Sequence, residues 1–384
     1  MVITNDIKYI GVYDKDIDLF EGLYKVPDGI SYNSYLIFDE KIAVLDTVDV
    51  RFANEWLKNL RTVLCGRKPD YIIIQHMEPD HSANIMEFMN EYPETTVVSS
   101  SKAFAMMKDY FGNDFAENRL VVGEGDTLPL GKHTLTFFTA PMVHWPEVIV
   151  TYDKSDKVLF SADAFGTFGF PKNENEWTDE ARRYYIGIVG KYGVQAAALL
   201  KKVATLDIEI ICSLHGPVLK DNLEHYINKY NLWSGYEPET DGILIAYTSI
   251  YGNTKKAALN LAEEIKANGQ TNVEIIDLAR SDMTAAVSKA FKYSKLVLAT
   301  TTYNMGIFPF MREFINKLTE RNFGNRTVAF IENGSWAPMA TKIMKTMLEG
   351  SKNITYADAQ VTIRGAVNEH STEQIKLLAR EISC

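Results

Sequence analysis

A short stretch, YIIIQHMEPDHS at residues 71–82, sets two histidines and two carboxylates directly after an apolar run. The polar residues are His76, Glu78, Asp80 and His81, and the run before them has the composition of a buried strand. Imidazole and carboxylate groups are typical ligands of transition metals. The spacing HxExDH therefore predicts metal chemistry at the end of a strand.

Three further residues of these types follow apolar runs later in the chain: His144 in TAPMVHWPEV, Asp163 in VLFSADAFG and His215 in IICSLHGP. The ends of neighbouring strands converge on one edge of a sheet, so we expect all these side chains to form one site for two metal ions. A set of four histidines and three carboxylates favours non-haem iron, because imidazole with carboxylate is typical of that metal. A dizinc hydrolase remains the alternative.

The C-terminal half contains a pattern that predicts a phosphate site. The loop TSIYGNT follows the strand-like run GILIAYTS, and a helical pattern begins at its end. Backbone N–H groups at such a helix start bind a phosphate monoester. The loop is neither GxGxxG nor GxxxxGK[ST], which argues against a dinucleotide and against a nucleoside triphosphate.

Two later loops, ATTTYNMGIFP (299–309) and ENGSWAP (332–338), flank the same predicted crevice of a doubly wound sheet. Aromatic residues in them offer planar faces to a flavin ring, and glycines let backbone groups approach its polar edge. We predict FMN as the cofactor, bound by Thr248, Ser249, Ile250, Tyr251, Gly252, Asn253, Thr254, Thr301, Thr302, Tyr303, Asn304, Met305, Gly306, Gly334, Ser335 and Trp336.

The elements that must position these residues fall into two halves. Short strands recur from Ile30 to about Leu219 with helical stretches between some of them, which predicts two packed sheets flanked by helices. A turn-rich linker at 230–242 follows, and strand and helix patterns then alternate, which predicts a parallel sheet covered on both faces. We place the domains at 1–238 and 239–384.

Length and composition agree with two soluble domains. A chain of 384 residues exceeds one ordinary core, and its net charge of −10 provides no basic field for nucleic acid or an anionic membrane. Cys65, Cys212 and Cys384 show no CxxC spacing, which argues against a disulfide framework and a four-cysteine metal site. No secretory signal or membrane-length apolar run is visible, so we expect a cytoplasmic protein.

The metal motif resembles that of the metallo-β-lactamase fold, although Glu78 stands where that fold usually has a histidine. Joined to a flavodoxin-like half, it resembles the flavodiiron proteins, also called A-type flavoproteins. The resemblance implies an N-terminal αββα sandwich followed by a flavodoxin-like doubly wound parallel sheet. It also implies an oxidoreductase that reduces dioxygen to water, nitric oxide to nitrous oxide, or both.

Further expectations come from the same resemblance. One iron would be held by His76, Glu78 and His144, the other by Asp80, His81 and His215, and Asp163 would bridge them; in some members water displaces the counterpart of His81. The family forms head-to-tail homodimers, which can pair into tetramers. Because no rubredoxin domain follows the flavodoxin half, we expect a separate electron donor, either a rubredoxin-like protein or a reduced deazaflavin.

Two other functions remain as alternatives. One is a dizinc hydrolase of the metallo-β-lactamase fold, which would explain the first half of the chain but not Glu78 or the flavin loops. The other is a flavodoxin-like electron carrier with an inactive metal domain, which would have gaps in its ligand set. The metal content of the purified protein distinguishes all three functions.

Overall fold

The computed structural model describes residues 1–383, and Cys384 lies outside them. The chain divides into two compact units, Met1–Asn231 and Leu232–Cys384. The domain boundary at 238/239 stays a prediction. Among residues 1–383, no helix is both long enough and apolar enough to cross a membrane.

The first unit contains two main sheets and two small two-stranded sheets. A six-stranded sheet has the order β1-β6-β7-β8-β9-β10, a five-stranded sheet runs in order from β11 to β15, and the pairs β2-β5 and β3-β4 are separate. The strands are β1 (Ile7–Tyr9), β2 (Val12–Asp14), β3 (Leu19–Phe20), β4 (Tyr24–Lys25), β5 (Ile30–Tyr32), β6 (Tyr35–Ile37), β7 (Ala43–Leu45), β8 (Tyr71–Ile73), β9 (Thr96–Ser99), β10 (Arg119–Val121), β11 (Thr127–Pro129), β12 (Thr134–Thr139), β13 (Ile149–Asp153), β14 (Val158–Phe160) and β15 (Ile210–Cys212).

Helices connect these strands. Local signals set some of their ends: in α4, the Ser100 hydroxyl accepts a hydrogen bond from the Ala103 N–H, and Gly112 ends the helix at a φ of 68°. The helices are α1 (Ala53–Leu64), α2 (Pro79–Ser82), α3 (Ile85–Glu91), α4 (Ser101–Phe111), α5 (Glu174–Ile188), α6 (Gly193–Val203) and α7 (Leu223–Ser234), with single 3₁₀ turns at Val50–Phe52 and Gly190–Tyr192.

Apolar side chains pack on both faces of the six-stranded sheet. One cluster joins the two sheets through Tyr35, Phe137 and Phe160. A second cluster packs α1 and α3 against the other face of the six-stranded sheet through Trp56 and Phe88. Burying these large side chains stabilises the two-sheet arrangement, which is the architecture that the strand pattern predicts.

The second unit has a parallel sheet with the strand order β17-β16-β18-β20-β21, the order of flavodoxin-like folds. Strand β22 also pairs with β20, and β19 is antiparallel to β18. The strands are β16 (Thr240–Tyr247), β17 (Val273–Asp277), β18 (Tyr293–Tyr303), β19 (Gly306–Ile307), β20 (Arg326–Asn333), β21 (Ile354–Tyr356) and β22 (Val361–Ile363).

Five helices alternate with the strands of this unit. On one face, α8 and α12 pack through Leu261 and Leu378 against Val297 and Ile331 of the sheet. Such strands are apolar along most of their length because helices cover both faces. The helices are α8 (Asn253–Ala267), α9 (Met283–Lys292), α10 (Pro309–Glu320), α11 (Ala340–Leu348) and α12 (Glu369–Ile382).

Candidate metal centre and flavin site

The loops after three strand ends and the loop before β13 carry the predicted metal ligands. His76 lies three residues beyond β8, Asp163 three residues beyond β14 and His215 three residues beyond β15. Strands β8 and β7 are parallel, as are β14 and β15, so loops from their carboxyl ends leave each sheet on the same side. His144 lies in the loop between β12 and β13.

A short helix positions the ligands of the HxExDH motif. Glu78 is the residue before α2, and Pro79 fixes the first helical position. The Glu78 carbonyl accepts hydrogen bonds from the N–H groups of His81 and Ser82, and the Ser82 hydroxyl donates to the Met77 carbonyl at 2.8 Å. One turn of helix therefore places Asp80 and His81 on the same polar surface as Glu78.

The first ligand group consists of His76, Glu78, His144 and one oxygen of Asp163. The Nε2 atoms of His76 and His144 are 3.2 Å apart, and Glu78 Oε2 lies 3.3 and 3.0 Å from them. Asp163 Oδ2 lies 3.3 Å from His76 Nε2 and 3.0 Å from His144 Nε2. Atoms that bind one metal ion at about 2.0–2.2 Å have spacings of this size.

The second ligand group consists of Asp80, His81 and His215. The Nε2 atoms of the two histidines are 3.1 Å apart, and Asp80 Oδ2 lies 3.4 Å from each of them. The other oxygen of Asp163, Oδ1, is 3.4 Å from His81 Nε2. Asp163 thus presents one oxygen to each group, and all seven predicted side chains come together.

The donor set fits metal cations. Both carboxylate oxygens of Asp80 and both of Asp163 are buried without a hydrogen-bond partner among residues 1–383. Buried carboxylates that lack hydrogen bonds are costly unless a cation balances them. The residues face one another with nitrogen and oxygen lone pairs, which is the arrangement that two metal ions stabilise.

Without metal, protons must balance these charges. Burial opposes protonation of His144, but the carboxylates of Asp163 and Glu78, each with an oxygen 3.0 Å from His144 Nε2, outweigh burial and raise its pKa to about 9. Burial raises the pKa of Asp80 to about 7. Burial, together with repulsion from His81, lowers the pKa of His215 to about 4. The ligand set therefore holds protons that metal binding must release.

Hydrogen bonds outside the ligand set orient two of the imidazoles. His76 Nδ1 lies 2.8 Å from Oε1 of Glu147, a side chain with no exposed surface. His215 Nδ1 lies 2.7 Å from the carbonyl oxygen of Ser31. The sequence analysis did not identify Glu147 as a residue of the site. The sequence signal for it was a carboxylate three residues after His144, in HWPE.

The second unit contains a cavity of about 630 Å³ at the carboxyl ends of its strands. Gly252 precedes α8 with a φ of 87°, and its N–H donates to the Ser249 hydroxyl at 3.1 Å. The residues that line the cavity are Ser249, Ile250, Tyr251, Asn253, Thr254, Thr301, Thr302, Tyr303, Asn304, Met305, Asn333, Gly334, Ser335, Trp336, Ala337 and Gly365.

Three residues of the predicted flavin set lie outside this lining. Thr248 is buried, and its hydroxyl is 2.7 Å from that of Thr300. Gly252 lies in the loop before α8 and Gly306 is the first residue of β19, and neither lines the cavity. Their contacts with a flavin stay predictions.

Sequence reasoning also missed Asn333, Ala337 and Gly365, which line the cavity. The Asn333 amide donates to the Gly365 carbonyl at 3.1 Å and accepts from the Gly365 N–H at 3.1 Å. This pair fixes the loop after β22 beside the cavity. The sequence signal for Asn333 was its position at the end of a strand, within the predicted flavin loop 332–338.

We predict that the metal-free protein becomes less stable as pH rises from about 6.5 to about 9. The pKa of His144 is about 9 in the folded protein against an ordinary value of 6.5, so its stabilising contribution is complete below 6.5 and is lost as pH rises through 9. The loss should be about 2–3 kcal/mol in the free energy of unfolding, measured by urea denaturation.

The His144→Asn variant is the control for this measurement, because it removes the titrating imidazole. Its metal-free form should lose the part of the pH dependence that His144 contributes, while His76 and His81, whose pKa values are also raised by nearby carboxylates, keep theirs. Equal stability of the unsubstituted metal-free protein at both ends of this pH range would contradict the assignment of a protonated His144.

Each half of the chain matches a known protein family. Residues 30–216 match the family model "ODP family beta lactamase", and residues 244–381 match the model "Flavodoxin domain". The chain is 31% identical over 361 residues to the anaerobic nitric oxide reductase flavorubredoxin of Klebsiella pneumoniae, which covers 91% of this chain and 74% of that protein. The fold class predicted from the sequence is confirmed.

Two solved structures are similar over nearly the whole chain. The rubredoxin oxygen:oxidoreductase of Desulfovibrio gigas has a TM-score of 0.91 with 26% identity, covering 100% of this chain and 97% of that one. The flavodiiron protein of Giardia intestinalis has a TM-score of 0.91 with 25% identity, covering 99% and 95%. From the relatives and the paired domains, we conclude that the chain belongs to the flavodiiron protein family.

Proposed function

We propose that the protein is an oxidoreductase that reduces dioxygen to water, nitric oxide to nitrous oxide, or both, at a non-haem diiron centre supplied with electrons by FMN. The observation that carries this proposal is the position of Asp163, whose two oxygens face separate ligand groups. The names of the relatives support both gases, since one is a nitric oxide reductase and another an oxygen oxidoreductase.

Each ligand group would hold one metal ion. In the first, His76, Glu78 and His144 supply two neutral nitrogens and one carboxylate, and in the second, Asp80, His81 and His215 do the same. This symmetry favours iron over a dizinc centre, because Glu78 adds a hard oxygen ligand where the lactamase motif usually has a histidine. When bound, two ferrous ions and reduced FMN together supply the four electrons that conversion of dioxygen to two waters consumes.

The chain's own part is to hold and shield the reacting centre. Five of the seven ligand side chains have less than a tenth of their surface exposed. The Asp80 side chain is 11% exposed and the Glu78 side chain 17%. Glu78 and Asp80 line an opening together with Leu19, Phe20 and Glu21. A small gas can enter by such an opening while most of the ligand set stays out of water.

We further propose that the cavity of the second unit binds FMN. Gly252 and the start of α8 would bind the phosphate through backbone N–H groups, and Thr254 lies in the first turn of this helix. Tyr303 and Trp336 line the cavity and are 40% and 89% exposed, so their rings are available to a flavin.

We predict that His144→Asn or Asp163→Asn abolishes gas reduction and lowers iron from about two per chain, while FMN stays bound. Each variant removes a ligand from a group that has no further donor within residues 1–383, whereas the flavin cavity belongs to the other unit. Iron, zinc and flavin are measured on purified protein, and consumption of each gas is followed with a rubredoxin-type donor under anaerobic control.

The matched control is His133→Asn. His133 is also a buried histidine of the first unit bonded to a carboxylate, at 2.9 Å from Asp153, but it is not part of either ligand group. It should keep both irons and gas reduction. Stoichiometric zinc in active, unsubstituted protein would refute the diiron assignment and favour the hydrolase.

We predict that Ser249→Ala with Thr254→Ala weakens FMN retention but leaves the metal content unchanged, because both residues line the cavity and each variant removes a hydroxyl. Thr248→Val is the control, since the Thr248 hydroxyl bonds to Thr300 away from the lining. Flavin is counted after dialysis. Equal retention in the double variant and the unsubstituted protein would mean that the phosphate binds elsewhere.

We also propose that the active unit is a head-to-tail homodimer, able to pair into a tetramer, in which one subunit's FMN serves the other's metals. Exposed apolar side chains surround the flavin cavity, with Trp336 at 89% and Tyr251 at 91% exposure, and such clusters are typical of interfaces. Residues 1–231 carry 34 acidic against 23 basic side chains, while residues 232–384 carry 16 against 17. This charge difference favours contact between unlike units.

Mixing two inactive variants tests this assembly. A metal-deficient chain (His144→Asn) and a flavin-deficient chain (Ser249→Ala with Thr254→Ala) should regain activity after their subunits are exchanged. Exchange is verified by mass of the mixed dimer. Verified exchange without recovered activity, or full turnover by a stable monomer, would contradict electron transfer between subunits.

For the electron donor we propose a separate rubredoxin-like protein or reduced deazaflavin, and for the location the cytoplasm. Cys65 and Cys212 are both free thiols, which supports a reducing compartment. Reduction of bound FMN by each donor in rapid mixing tests the first proposal, and cell fractionation tests the second.

A further inference from the structure

The two ligand groups differ in the hydrogen-bond partners of their imidazole Nδ1 atoms, which point away from the metal site. His76 of the first group has the Glu147 carboxylate 2.8 Å from its Nδ1. His215 of the second group has a neutral backbone carbonyl, that of Ser31, 2.7 Å from its Nδ1. The Nδ1 of His81, also in the second group, is buried without a hydrogen-bond partner among the described residues.

Glu147 is held for this contact by its surroundings. Its Oε1 accepts a hydrogen bond from the Met77 N–H at 2.9 Å as well as facing His76. The Ser100 hydroxyl donates to the Glu147 carbonyl oxygen at 2.7 Å, which ties the backbone to the start of α4. The second carboxylate oxygen, Oε2, is buried and has no hydrogen-bond partner within residues 1–383.

A buried carboxylate with one unbonded oxygen is costly, so its charge must be balanced nearby. The group that faces it is the His76 imidazole. An imidazole that donates its Nδ1–H to a carboxylate is a stronger base at Nε2 than one that donates to a neutral carbonyl. His76 Nε2 is the atom that faces Glu78, His144 and Asp163.

We propose that Glu147 is a positioning residue that makes the first ligand group the stronger metal site, so that the ion of the second group is released first. This inference rests on the proposed function only in that both groups hold metal. In the second group, among residues 1–383, His215 Nδ1 faces a backbone carbonyl instead of a carboxylate, and His81 has no acceptor at Nδ1 to fix its ring. Its imidazoles are therefore weaker and less constrained donors.

The experiment follows metal release from the intact holoprotein into excess chelator. The unsubstituted protein should release its metal in two phases of equal amplitude, one fast and one slow. Glu147→Gln keeps the shape of the side chain but removes its charge, and it should accelerate the slow phase about 10- to 100-fold. The fast phase should not change, because the second group does not contact Glu147.

Asp153→Asn is the matched control. Asp153 is also a buried carboxylate bonded to a histidine Nδ1, that of His133 at 2.9 Å, in the same unit but outside both ligand groups. It should change neither phase.

The midpoint potential of the metal pair supplies a second measurement. It should rise in Glu147→Gln, because loss of a negative charge favours the reduced ions, and stay constant in Asp153→Asn.

Three results would overturn the proposal: a slow phase that Glu147→Gln leaves unchanged, equal acceleration of both phases, or the same acceleration in Asp153→Asn, which would indicate a general loss of stability. The identity of the metal is determined separately. If the protein contains zinc, the diiron function fails, but the two release phases of zinc still test the role of Glu147.

Discussion

The placement of Asp163 between two groups of ligands is the constraint on which the metal centre depends. Its oxygens meet His76 and His144 on one side and His81 on the other, inside a site where burial denies the charges access to water. Protons on His144 and Asp80 can balance part of this charge, but at the expense of the lone pairs that bind metal. Only cations balance it while every ligand stays available.

The rest of the first unit serves to keep these side chains in place. The ligand loops begin at strand ends, where the backbone is already fixed by sheet hydrogen bonds. Two residues beside the centre, Asp46 and Ala162, have left-handed backbones with φ of 56° and 49°, which costs about 1–3 kcal/mol each for a residue with a side chain. Asp46 accepts hydrogen bonds from the backbone and side chain of Gln75, and this strained loop adjoins the HxExDH motif.

The proposed cofactor of the second unit carries a negative charge, and the groups that would bind it differ from those of the metal centre. Within residues 1–383, no lysine or arginine lines its cavity, so a phosphate there would be held by backbone N–H groups, hydroxyls and the start of α8. Asn333 links two loops of the cavity wall through its paired hydrogen bonds with Gly365. The cavity is therefore formed by loops tied to one another and to the sheet beneath them, while its aromatic rim stays open to solvent.

The sequence by itself determined the fold class, because strand and helix periodicities are local and the parallel units alternate regularly. It also determined the seven candidate ligands, since their residue types recur at strand ends. Only the tertiary structure decided that Asp163 faces both groups and that Glu147 lies behind His76, because these contacts join segments about 70 or more residues apart in the chain. Thr248 and Ser249 are neighbours in sequence, yet one bonds to Thr300 inside the fold and the other lines the cavity. Successive residues of an extended chain point to opposite sides, so the face that each one takes depends on packing that no local pattern contains.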